Sequence, residues 1–226
     1  MQKKKENEME KDKNTKAPKT EMETRNYSVE FSTREENESG ILEGRPIVFG
    51  QRADIGGWFE EIIDQGALDA TDLTDVRLCL NHDTSFVYAR SRRNNPNSTM
   101  QLFVDPEGLR IRANLDIKES AASKDLYSAI SRGDIDKMSF MFSVKEEKWD
   151  NLDTEYPTRH ITKIGTVVEV SAVTFPAYEA TTINARGKDA LDSARSAVET
   201  ARQAEAAKVE TEALELAKAK YYFKNH

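Results

Sequence analysis

Between Tyr27 and Pro176 the apolar residues come in short runs, and most of these runs alternate apolar with polar. Alternation with period two marks a strand with one face in a core. A chain made of many such strands has to curl its sheet or pack it against a second layer. Residues 27–32, 46–49, 73–80, 138–144 and 161–174 all read as strands, the last as one long strand or a pair. Residues 100–104 and 109–115 flank Asp105-Pro106-Glu107-Gly108, whose turn chemistry predicts a hairpin. Gly56-Gly57 opens residues 58–66, which read as a short helix or loop ending at Gly66. One run keeps helical spacing: over residues 120–132, Ala122, Leu126 and Ile130 share a face and Gly133 supplies the stop. The pattern predicts an α+β, β-rich domain, a curled antiparallel sheet or barrel with peripheral helices.

The ends of the chain differ from its middle. Of the first 25 residues, 14 are charged and only Met1, Met9, Ala17 and Met22 are apolar. Such a segment buries too little surface to offset the entropy of ordering, so residues 1–25 read as a disordered tail. From residue 187 the composition turns to alanine, glutamate and lysine, with ten alanines and no proline or glycine over 188–220. That predicts a helical tail over 187–226, with Leu191, Ala194, Val198 and Ala201 starting a seam that loses phase afterwards. The domain itself is expected over 26–186.

Composition excludes several classes of protein. The net charge of −7 argues against a general nucleic-acid binder. No run approaches the roughly 18 apolar residues of a membrane span, and the N-terminus lacks the apolar stretch of a secretory signal. A single cysteine, Cys79, leaves no internal disulfide. These features predict a soluble intracellular protein that binds neither nucleic acid nor membrane. Nucleotide-binding glycine loops, Cys-x-x-Cys and His-Glu-x-x-His are all missing, so no cofactor or metal is expected.

Few residues can carry chemistry. Of three histidines, His226 stands last and His160 sits in a polar context before a strand. His82 follows Leu78-Cys-Leu-Asn; if the strand ran on, it would share a face with Leu78 and Leu80, at the strand's end. An imidazole there is either a packed core residue or a base for a hydroxyl nucleophile. In Met138-Ser-Phe-Met-Phe-Ser-Val144, Ser139 alternates with Met138 and Phe140 and either faces a cleft or faces solvent. Cys79 would face opposite to His82 and reads as a small core residue. Glu169 stands inside an apolar strand, where a carboxylate needs a partner if its side is covered. Orienting an imidazole is one such role, and Asp83 and His160 are its other candidates.

The order and contexts of these residues are more specific than any one of them. Gly44-Arg-Pro-Ile-Val-Phe-Gly, Glu60-Glu-Ile-Ile-Asp-Gln-Gly-Ala-Leu and Val76-Arg-Leu-Cys-Leu-Asn-His-Asp come first. Asp105-Pro-Glu-Gly-Leu-Arg-Ile-Arg-Ala-Asn-Leu-Asp, Ser131-Arg-Gly-Asp-Ile-Asp-Lys-Met-Ser-Phe-Met-Phe and Glu169-Val-Ser-Ala-Val-Thr-Phe-Pro-Ala-Tyr follow. Together they resemble the prohead maturation proteases of tailed bacteriophages, which are similar in fold and mechanism to herpesvirus assemblins. One departure is Ala89, where the family carries glycine.

The resemblance implies a serine endopeptidase with Ser139 as nucleophile and His82 as general base. It puts the third member on the strand after the nucleophile, where Glu169 is assigned. Assemblins use a second histidine, which keeps His160 as a rival. The implied substrates are the scaffold or delta segment of the major capsid protein and the protease's own termini. The implied place is the assembling prohead in the host cytoplasm, and the implied state a homo-oligomer. Two other readings stay open: a non-enzymatic capsid scaffold that keeps the fold, and a metal-dependent hydrolase using His82, Asp83 and Glu169.

Overall fold

Two sheets face each other across one apolar core in the computed structural model, which describes residues 22–28, 31–36, 39–174 and 185–225. The smaller sheet is antiparallel, ordered β2 (Ser32–Glu36), β3 (Ser39–Val48), β9 (Gly108–Leu115) and β8 (Met100–Asp105). Its β8–β9 hairpin turns at the expected place. Only glycine fits at residue 108: its φ is +143°, and a Cβ would stand 2.0 Å from the Ile47 carbonyl oxygen.

The larger sheet has seven strands and is mixed. Its edge is β1 (Met22–Ser28), antiparallel to β10 (Lys137–Asp150), which pairs antiparallel with β11 (Thr158–Val173). The other edge of β11 is shared. Residues 158–161 pair parallel with β5 (Phe59–Ile63), and residues 169–172 pair parallel with β6 (Asp75–Leu80). β4 (Arg52–Ile55) and β7 (Ala89–Arg92) complete the sheet beside β5 and β6. Met138, Phe140 and Phe142 alternate into the core against Leu42, Ile111 and Leu115 of the smaller sheet, all fully buried. The helix α1 (Ala121–Ser131) is capped by the Ser120 side chain and adds Leu126 and Ile130 to the same core.

The β-rich expectation holds, with differences that have physical causes. The described strands form no closed barrel, and β11 brings parallel pairing into what was expected to be an antiparallel sheet. Residues 58–66 are not a helix. The consecutive left-handed Gly56 and Gly57 (φ 64° and 74°) turn β4 back into β5, whose Ile62 and Ile63 are both buried because the sheet is covered on each side. The run 27–32 is not one strand; β1 ends at Ser28 and β2 begins at Ser32. Residues 1–21, Pro176 and His226 lie outside the described residues. The helix α2 (Ala185–Asn225) docks through Ala194 and Val198 on Ile55 and Phe59, with Trp149 alongside, and is exposed from Arg202 to Tyr222. No helix among the described residues is long and apolar enough to cross a membrane.

The charged stretch at the N-terminus was expected to be tail through residue 25, yet Met22 to Arg25 are strand. Buried ion pairs hold them. The Arg25 guanidinium donates to both Glu61 oxygens, at 2.5 and 2.8 Å, and Arg159 donates to Glu23 at 2.7 and 2.9 Å and to Glu61 at 3.0 Å. Glu147 closes the cluster on the far side of Arg159, at 2.8 Å from its Nε. Burial works to raise the Glu23 carboxyl, but hydrogen bonding from Arg159 and the charges of Arg25 and Arg159 outweigh it and hold it at about 2. A carboxyl lowered in the docked state stabilises docking in full above its ordinary value of 4.5 and loses that contribution as the pH falls towards 2. The protection factors of residues 22–28, with exchange normalised to the intrinsic rate at each pH, are therefore expected to fall between pH 4.5 and 2, ahead of those of β10 and β11. Glu23→Gln should flatten that dependence.

Candidate active site

The site is built where β6, β10 and β11 run side by side. Direct cross-strand partners share a face, so Ser139 of β10, Ser171 of β11 and Cys79 of β6 form one row. Met141, Glu169 and Arg77 form the next. This is the face opposite Phe140, Val170 and Leu78, which point into the core.

His82 reaches the same face by a turn. Asn81 and His82 both take left-handed conformations, with φ of 52° and 62°. For a side chain larger than asparagine that costs on the order of 1–2 kcal/mol. Fixed contacts offset the cost. The Asn81 N–H donates to Ala172 O at 2.9 Å, and the Asn81 Oδ1 accepts from the Thr174 N–H at 2.9 Å and the Thr174 hydroxyl at 3.1 Å. The expectation that His82 extends the apolar face of Leu78 and Leu80 is overturned, because period two does not survive the turn. Cys79 consequently shares the face of His82 instead of opposing it.

The His82 Nδ1 lies 2.6 Å from Glu169 Oε1. A carboxylate accepts, so Nδ1 carries the proton and the lone pair of the neutral ring lies on Nε2. Glu169 is 1 % exposed, and both its oxygens have partners, since the Ser171 hydroxyl donates to Oε2 at 2.5 Å. The same hydroxyl accepts the His82 backbone N–H at 3.2 Å. Ser171 thus ties the carboxylate to the turn that carries the imidazole. The sequence reading passed over Ser171, although its place two residues after Glu169 puts it on the same face.

Ser139 stands one strand from Ser171, roughly 4.8 Å away across the ladder, and is fully buried. Its hydroxyl does not pair with His82; it donates to the backbone carbonyl of Arg25 in β1, at 2.8 Å. His160 is not near this group. Its Nδ1 meets Asp64 at 2.8 Å, and it lies about 30 Å up β11 from Glu169 at about 3.3 Å per residue. Asp83 turns to its own loop, where the Ser85 hydroxyl and amide hold its carboxyl below the ordinary value. His82, Asp83 and Glu169 therefore do not converge as a ligand set. The Arg159 guanidinium is engaged by Glu23, Glu61 and Glu147.

Residues 27–194 match the family model described as Caudovirus prohead serine protease, and the chain belongs to that family. It is a serine protease of the prohead type. Among solved structures it is similar to the bacteriophage T4 capsid assembly protease, gp21, with 10 % identity and a TM-score of 0.40, over 69 % of this chain and 98 % of that one. No curated protein matches the sequence.

Cys79, the thiol in the row of Ser139 and Ser171, is held inactive by its surroundings. Burial, and after it the charge of Glu169, pushes its thiol up to about 11, so at neutral pH it stays protonated. A thiol reagent at pH 8 is expected to label it at least about 100-fold more slowly in the native protein than in urea. Cys79→Ala should leave proteolysis intact.

Proposed function

We propose that Ser139 is the nucleophile, His82 the general base and acid, and Glu169 the group that orients the imidazole. The observation that carries this reading is the 2.6 Å contact between His82 Nδ1 and Glu169, made on the face and beside the row that hold Ser139. In the reaction the Ser139 hydroxyl gives its proton to His82 Nε2 as Oγ bonds to the substrate carbonyl carbon. The tetrahedral adduct collapses, the peptide C–N bond breaks, and the imidazolium protonates the leaving amine. Water, deprotonated by the same nitrogen, then hydrolyses the ester. Glu169 stays ionised throughout and stabilises the imidazolium. Ser139 first has to give up its bond to the Arg25 carbonyl.

The substrates are the scaffold or delta segment of the major capsid protein and the chain itself, inside the assembling prohead. Confinement with many copies of its substrate lets such a protease act with little intrinsic affinity. The exposed part of α2 presents Val209, Leu214 and Leu216, which suits packing among partner helices or a second copy of this chain.

Ser139→Ala and His82→Ala are each expected to lower peptide-bond cleavage by roughly 10⁴-fold or more, and Glu169→Gln by about 10³- to 10⁴-fold. The measurement is the intact mass of purified chain, alone and with capsid protein, over prolonged incubation. Cleavage that persists in all three variants, or capsid maturation indifferent to Ser139→Ala, would overturn the reading in favour of a non-enzymatic scaffold.

A further inference from the structure

We propose that β1 occupies the substrate strand's place and that Glu61 selects the residue before the cleaved bond: the protease cuts after arginine when an acidic residue stands two positions earlier. This rests on Ser139 being the nucleophile.

Four observations converge on it. β1 lies extended and antiparallel along β10, the strand that carries Ser139, and adding a strand to a sheet edge is a common way to bind a peptide. Within β1, the carbonyl 2.8 Å from the Ser139 hydroxyl is that of Arg25, which makes Arg25–Asn26 the bond beside the nucleophile. The Arg25 side chain enters a closed site floored by Glu61, itself fully buried, and is held there by both carboxylate oxygens, with the Phe142 ring 5.7 Å from the guanidinium carbon. Glu23, two residues earlier and so on the same side of the strand, is gripped by Arg159 at 2.7 and 2.9 Å.

The charges that receive β1 belong to the body of the protein. If β1 left, Glu61 would lose Arg25 and keep only Arg159, and Arg159 would lose Glu23 and keep Glu61 and Glu147, which weakens the compensation of two ions at the sheet. An incoming strand restores both pairs only if it brings a cation at the Arg25 position and an anion at the Glu23 position. Neutral or charge-reversed strands leave Glu61, Arg159 or both short of a partner and are disfavoured. The chemistry balances without a further reactant. Ser139 Oγ bonds to the Arg25 carbonyl carbon, the C–N bond to Asn26 breaks, and His82 passes the serine proton to the Asn26 amine. Water then releases an Arg25 carboxylate.

The test uses the full chain and two substrates: the Ser139→Ala full chain, and a synthetic peptide of residues 20–30, native or with Arg25→Gln. Cleavage is mapped by mass. Wild type is expected to produce a fragment beginning at Asn26 and to cut the native peptide at the same bond. The Arg25→Gln peptide should be cut at least about 30-fold more slowly. Glu61→Gln should erase that preference, while the peptide comparison on wild-type enzyme stands even if this buried substitution prevents folding. Serine-dependent cutting at bonds without arginine, or equal rates on both peptides, overturns the assignment of Glu61 and leaves the proposed nucleophile standing. If nothing that wild type cuts depends on Ser139, both readings fall together.

Discussion

β11 is the constraint on which the rest of the molecule hangs. Its 16 residues are hydrogen-bonded on one edge to β10 and on the other to β5 and then β6, so it is the strand through which the large sheet is tied together. A strand paired on both edges and covered on both faces tolerates a polar side chain only where a partner waits. Each of its buried polar positions accordingly meets a specific group. Glu169 meets His82 and Ser171, while Arg159 meets Glu23, Glu61 and Glu147. The proposed chemistry sits at one end of this strand and the charge cluster nearer the other.

These two ends are joined through β1. The ion pairs of Glu23 and Arg25 fix the register of β1 on β10, and that register sets the Arg25 carbonyl over the Ser139 hydroxyl. Buried ion pairs contribute little net stability compared with apolar packing, but they discriminate sharply between one register and the next. A slip of one residue would send both charged side chains to the other face of the sheet. The same property suits a surface that has to recognise one extended sequence among many.

Much of the fold was legible because alternation is a local property. Met138, Phe140 and Phe142 read as one buried face and are one. Ser120 and Gly133 bracket the predicted helix at the two ends observed, and the Asp105–Gly108 hairpin turns where its residues require. The failures also have local causes. Residues 58–66 mix a glycine pair with a short apolar run that suits a strand, a loop or a helix, and only the pairing with β4 and β11 decides among them. Parallel pairing of β11 was invisible, because it joins segments far apart in the chain through crossovers that leave no short-range mark. Met22 to Arg25 read as tail because a charged run is ordinarily solvated, and their order depends on Glu61 and Arg159.

For the site, residue order and contexts made Ser139, His82 and Glu169 candidates, with His160 and Asp83 as rivals to Glu169, and pointed to the family to which the chain belongs. They carried the strand pattern, the helices and the absence of an internal disulfide, since each of these follows from residue type and spacing. Which carboxylate meets the imidazole, and what covers the serine, were matters for the folded chain alone. The His82–Glu169 contact spans 87 residues and the Ser139–Arg25 contact 114. The first of these also passes through two left-handed residues, where a period-two reading places the imidazole on the wrong face. Contacts of that range depend on how sheets stack and turns are aimed, and no local periodicity encodes either.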